Sequence, residues 1–137
     1  MAFAMKQRRV GLWLIGACGN IGSTAALGLS AIARGIQPPI GMVTATPLFA
    51  GLPLDPPSAF VVGGHDVRRG QFLDTLRDLH TRSNIFSTEQ FEICGIDLGA
   101  WAGNVRPGTV LQTGASISAL AEMPEVGQVR TPAEAIR

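Results

Sequence analysis

Val10-Gly11-Leu12-Trp13-Leu14-Ile15-Gly16-Ala17-Cys18-Gly19-Asn20-Ile21-Gly22 decides how this chain is read. Its first six residues form a continuous apolar run, the pattern of a strand buried on both faces in a parallel sheet. The run ends in glycines at 16, 19 and 22, and a stretch rich in small residues follows, with Ala25, Ala26, Leu29, Ile32 and Ala33 near helical spacing. Strand, glycine loop and helix in that order are the context that lifts a glycine motif above chance. Gly16 permits a tight turn out of the strand. Gly19 lets backbone approach a pyrophosphate with no Cβ in the way, and Gly22 lets the helix pack close. A pyrophosphate would then rest on the positive helix N-terminus. The plain alternative is a glycine-rich turn that serves packing only.

Working outward, Lys6, Arg8 and Arg9 precede the apolar run and together with it imitate a secretion signal, with Ile15-Gly16-Ala17-Cys18 similar to a lipoprotein cleavage site. A first buried strand running into a glycine loop accounts for the same residues, and no run reaches the ~18 apolar residues of a membrane span. Arg34 in the last turn and Gly35 after it mark the helix end, and Pro38-Pro39 forbid its continuation.

Ile40-Gly41-Met42-Val43-Thr44 reads as a second strand, which would complete a βαβ unit within about 35 residues. A proline-rich loop with Pro47, Pro53, Pro56 and Pro57 leads to a short third strand, Phe60-Val61-Val62, closed by Gly63-Gly64-His65-Asp66. Residues 71–80 form an amphipathic helix with Phe72, Leu76 and Leu79 on one face. Ser87 and Gln90 make a capping box for a further short helix. Residues 109–113 are a weaker strand candidate. Thr131-Pro132-Ala133-Glu134 combine an N-cap, a first-turn proline and a third-position acid, a helix start that implies a helix continuing beyond Arg137.

Composition bounds the function. The 137 residues suffice for one core; 46% are hydrophobic, 15% charged, and the formal net charge is +1, so no field draws in nucleic acid or an anionic membrane. Cys18 and Cys94 lack metal-ligand spacing and form no disulfide framework, which fits a reducing cytoplasm. A dinucleotide loop needs an acid for the ribose hydroxyls, yet Thr44-Ala45-Thr46 follows the expected second strand. Asp66, past the next strand, is the substitute, the alternative being a turn aspartate that caps its own backbone. His65 reads as a structural or rim residue. Cys18 at a helix N-terminus imitates an activated nucleophile, but a bound cofactor would cover it.

With these residues in view, Gly11 to Thr24 resembles the start of the inositol-3-phosphate synthase family, also called myo-inositol-1-phosphate synthase. Phe60-Val61-Val62-Gly63-Gly64-His65-Asp66-Val67 and Asn104-Val105-Arg106-Pro107-Gly108-Thr109 agree with the same family in the same order. The resemblance implies an α/β protein with a Rossmann-type doubly wound parallel sheet, of which residues 1–137 would be the N-terminal part. It implies a cytoplasmic, NAD-dependent isomerase, homo-oligomeric at full length, that converts glucose 6-phosphate to inositol phosphate in inositol and phospholipid biosynthesis. Gly16 belongs to the turn, Gly19, Asn20, Ile21 and Gly22 match the family's pyrophosphate loop, and Asp66 matches its adenosine-ribose contact. Cys18 departs from the glycine of many members, His65 from a tryptophan, and Ala45 from an acid in some bacterial members. The family's catalytic lysines fall in a later domain, and Lys6 is the only lysine here. Two other readings stand beside this one: a free-standing NAD-binding regulatory module, and a different NAD-dependent dehydrogenase or epimerase.

Overall fold

A computed structural model describes residues 8–135 of the chain, so Lys6 and the last two residues lie outside it. Val10–Ile15 forms the first strand, β1, and the chain passes through the glycine loop into α1, Asn20–Ala33. Arg34 is the C-cap and Gly35 follows at φ +72°, the stop expected of that pair.

Ile40–Thr44 does not form a strand. The segment turns back on itself through short 3-10 turns at Val43–Ala45, Pro47–Phe49 and Pro57–Ala59. The cause lies in its own sequence. Pro38 and Pro39 have no N–H to give to a ladder, and Gly41 sits at φ +84°, outside strand geometry. The remaining groups pair locally: the Ala45 N–H donates to the Met42 carbonyl at 3.0 Å, and the Thr46 hydroxyl donates to the Val43 carbonyl at 2.7 Å. Ile40 is left 84% exposed and Val43 66%.

The second strand, β2, is therefore Phe60–Asp66. It pairs with β1 in parallel from Val10 opposite Phe60 to Ile15 opposite His65. Helix α2 spans Phe72–Ser83 and α3 spans Thr88–Ala102. The Ser87 hydroxyl accepts from the Gln90 N–H at 3.1 Å while the Gln90 amide oxygen accepts from the Ser87 N–H at 2.9 Å, so the capping box forms and opens a helix of 15 residues rather than a short one. Strand β3 is Val105–Pro107, parallel to β2. Residues 109–113 lie beyond it in a turn, where the Thr109 hydroxyl accepts from the Leu111 N–H at 3.1 Å, and so form no strand. Two short helices follow, α4 at Ala115–Ser118 and α5 at Pro132–Ala135. The Thr131 hydroxyl accepts from the Glu134 N–H at 3.3 Å, the capping expected there.

The result is an α/β structure with a three-stranded parallel sheet in the order β1-β2-β3. Both crossovers place their helices on one face. Leu12 and Leu14 of β1 pack there against Ala26, Leu27 and Ala31 of α1, Phe72 and Leu76 of α2, and Cys94 and Leu98 of α3. Each large apolar side chain in this core contributes about 1.5–3 kcal/mol on burial. The face of α1 that packs is set by Ala26, Leu27, Ser30 and Ala31, rotated from the expected one: Ala25 is exposed, and Leu29, Ile32 and Ala33 are half-buried. Arg34 clamps Asp97 through two N–H donors at 2.7 and 2.8 Å, and Ser30 donates to the same carboxylate, tying α1 to α3. Those bonds, the Arg34 one foremost, hold the Asp97 carboxyl below its ordinary range.

The expectation of a strand buried on both faces is met on one face only. Among the described residues nothing covers Trp13 and Ile15, which are 53% and 82% exposed. No helix among them is long and apolar enough to cross a membrane.

Candidate functional site

Parallel strands deliver all their C-termini to one edge, and the loops that follow them meet there. Gly16 takes φ +74°, a left-handed value that favours glycine, and turns the chain at the end of β1. Its N–H and that of Ala17 both donate to the His65 carbonyl of β2, at 2.8 and 3.1 Å. The loop is thus stitched to the neighbouring strand before the helix begins.

Gly22 lies where the helix meets the loop. A Cβ there would stand 2.5 Å from the Ala17 carbonyl oxygen and 2.8 Å from that of Gly16, so the first turn of α1 sits directly on the loop. The close packing expected at Gly22 is present, made against the loop at the end of β1, and it requires glycine. Gly19 is the N-cap, and no side chain caps the helix. The first turn holds no acidic residue, and the opening N–H groups of Asn20, Ile21 and Gly22 make no backbone bond. Ile21 is 88% exposed at this edge.

Asp66 ends β2, the strand beside β1, rather than a third strand. Only 2% of its side chain is accessible, and both oxygens are engaged. Oδ2 accepts from the Cys18 N–H at 2.8 Å, and Oδ1 accepts from the Arg68 N–H at 3.0 Å. The second bond is the local turn-capping geometry of an aspartate, and the first reaches 48 residues back to fix the glycine loop. The Arg68 guanidinium lies 3.6 Å from Oδ1 through Nε and spreads toward the loop, where its tip would be 3.2 Å from a Cβ at Gly19.

Cys18 is not activated. It is 3% exposed, its thiol points to the Gly70 carbonyl at 3.4 Å, and burial, reinforced by the Asp66 charge, pushes it up to about 11. A thiol in that condition is neither thiolate nor nucleophile near neutral pH. The Thr75 hydroxyl of α2 donates to the Cys18 carbonyl at 2.7 Å, completing the loop's anchorage. His65 accepts the Trp13 indole N–H on Nδ1 at 3.1 Å, the two rings meeting edge to face with centroids 5.1 Å apart. Trp13 lies on the uncovered face of the sheet, and His65 also lines the cavity formed at this edge.

The six residues singled out in the sequence, Gly16, Gly19, Asn20, Ile21, Gly22 and Asp66, line a single open cavity of about 890 Å³. A space of that size lies within the range of small-molecule and cofactor sites. Its opposite wall comes from Pro107, Gly108 and Thr109, the end of the segment that resembles the family, then Thr113, and from Ile117 and Leu120, which the sequence did not mark. Arg68 and Val67 complete the wall beside Asp66. The position of Arg68, two residues past a strand-ending acid, was the one signal available for it. Ala45, where an acid was expected and missed, lies on the turn segment and lines none of this cavity. No protein-family model matches the chain, and no curated protein does so.

Proposed function

We propose that this cleft binds a nicotinamide–adenine dinucleotide, NAD being the form that the family resemblance implies, and that the three strands are the first half of a Rossmann-type sheet. One observation carries the reading. The glycine loop, the uncapped start of α1 and the acid at the end of the adjacent strand line one cavity at the carboxyl edge of a parallel sheet. That is where dinucleotides sit in open α/β sheets. The strand order 1-2-3 is that of one mononucleotide-binding half.

In this arrangement the free N–H groups of Asn20, Ile21 and Gly22 would hold the pyrophosphate, with the dipole of α1 adding to their field. Asp66 positions the loop through its bond from the Cys18 N–H and lines the same cavity. Leu14, Ile15 and Ala25 supply apolar wall. When bound, the dinucleotide would supply hydride transfer. The resemblance to inositol-3-phosphate synthases extends the reading to the cofactor-binding part of an NAD-dependent isomerase acting on a sugar phosphate. The described residues supply binding and positioning groups for such a reaction; Cys18, which imitates a nucleophile, is engaged with the Gly70 carbonyl, and His65 accepts the Trp13 indole N–H.

The test is calorimetric titration of NAD into the wild-type protein and Gly19→Val. Gly19 sits at φ −75°, ψ 169°, open to any residue, and a Cβ there stands 3.1 Å from the Gly16 carbonyl oxygen and 3.2 Å from Arg68 Nη2, so circular dichroism checks that the variant keeps its fold while it places a branched side chain where the pyrophosphate would approach. Saturable binding to the wild type that weakens at least tenfold in the variant is the expected result. Equal affinity in the two proteins, or none in the wild type, refutes the assignment.

A further inference from the structure

The glycine loop offers backbone donors and no charge of its own. Residues 19–24, Gly-Asn-Ile-Gly-Ser-Thr, contain neither lysine nor arginine. A dinucleotide's pyrophosphate is a dianion, and a helix start sets only about half an elementary charge against it. Among the described residues that line the cavity, Arg68 is the one arginine or lysine and Asp66 the one carboxylate.

Arg68 stands where that deficit falls. Its Nη2 atom would lie 3.2 Å from a Cβ at Gly19, so the tip of the guanidinium rests over the loop. Its other end faces Asp66, with Nε 3.6 Å from Oδ1, too long for a hydrogen bond and short enough for an ion pair. Both Asp66 oxygens already accept backbone N–H groups, from Cys18 and from Arg68 itself. The carboxylate thus orients the guanidinium without consuming the donors at its tip, and the side chain stays 39% accessible.

The turn beneath it is held from several sides. The Arg69 N–H donates to Glu122 Oε2 at 2.8 Å, and the Glu122 N–H donates to the Val67 carbonyl at 3.0 Å. The Gly108 N–H donates to the Asp66 carbonyl at 2.7 Å. Glu122, the other carboxylate tied to this turn, is engaged with backbone. Arg68 therefore reaches the loop from a fixed base.

We infer that Arg68 clamps the dinucleotide's pyrophosphate, its guanidinium tip donating to the phosphate oxygens above Gly19. A guanidinium donates to phosphate oxygens in pairs, a geometry that an ammonium does not reproduce. The clamp reads the diphosphate and neither of the groups that it joins. This role rests on the dinucleotide reading of the cleft and is independent of the isomerase reading.

The experiment is calorimetric titration of the wild type, Arg68→Ala and Arg68→Lys with NAD and with ADP-ribose, which keeps the pyrophosphate and lacks the nicotinamide. Circular dichroism checks that each variant is folded. Arg68→Ala should weaken both ligands by about 10- to 100-fold and to the same extent within about threefold, the loss of hydrogen bonds to a charged group. Arg68→Lys, which keeps the charge and loses the fork, should fall between. Raising salt from about 50 to about 500 mM should weaken NAD binding more in the wild type than in Arg68→Ala, because one screened charge pair is gone from the variant. NAD affinity in Arg68→Ala equal to the wild type's overturns the clamp. So does a loss that ADP-ribose does not share, which puts the guanidinium on the nicotinamide side, or a loss that leaves the salt dependence unchanged. NAD binding that Gly19→Val weakens and Arg68→Ala does not leaves the cleft's reading standing and sinks the clamp alone. Failure of the wild type to bind NAD overturns the reading of the cleft, and the clamp with it.

Discussion

Residues 10–34 and residues 36–59 look alike in composition and fold in opposite ways. Each holds an apolar run flanked by glycine, yet one becomes the strand, loop and helix around which the site is built, and the other a string of exposed turns. Two differences separate them. The first is what the flanking residues do to backbone hydrogen bonding: no proline interrupts Val10–Ile15, whereas Ile40–Thr44 is bracketed by Pro38, Pro39 and Pro47 and contains Gly41 at positive φ. The second is competition for the edge of β1. Phe60–Asp66 brings Gly63 and Gly64 to that edge, allowing an approach so close that a side chain at Gly64 would strike the Leu14 carbonyl. Apolar content nominates a strand; donor supply and close approach to a neighbour decide it.

The largest effect should come from breaking that close approach. In Gly64→Ala the new methyl group meets the Leu14 carbonyl oxygen and lies 2.8 Å from the Ala17 Cβ, both backbone-anchored positions. Strands β1 and β2 must part, at a cost of about 3 kcal/mol or more. Chemical denaturation should show that loss, and a midpoint equal to the wild type's would contradict the strand register. Asp66→Asn comes next. One amide oxygen cannot serve both N–H donors, and the amide nitrogen would face one of them, a loss of about 1–3 kcal/mol. A variant as stable as the wild type would show that the loop is held without the carboxylate. Val43→Ser should be the mildest. On an exposed turn it changes stability by less than about 0.5 kcal/mol; a cost above about 2 kcal/mol would mean that residues 40–44 are a buried strand after all.

Much of this was legible in the residues. The glycine loop, the stop at Arg34 and Gly35, the apolar face of Phe72 and Leu76, and the Ser87–Gln90 box all act through neighbours a few positions away, and local chemistry suffices to read them. What could not be read depends on distant partners. The second strand was misplaced because pairing with β1 is settled between two candidate segments, not within either. Asp66 was recognised from its position after a strand, but its bond to the Cys18 N–H joins residues 48 apart. Arg68 escaped notice for the same reason: only the folded turn brings its guanidinium over Gly19. Ile117 and Leu120, on the opposite wall of the cavity, carry no motif, because their contribution is shape.

The central claim is that the glycine loop region binds a dinucleotide and the turn region does not. Amide NMR of the isotopically labelled protein during titration with NAD tests both halves of that statement at once. The account predicts saturable shifts concentrated at Gly16, Gly19, Asn20, Ile21 and Gly22, weaker ones near Asp66 and Arg68, and a quiet segment from Ile40 to Ala45. Shifts centred instead on residues 40–45 or on the open sheet face around Trp13, or none at saturating NAD, would contradict it.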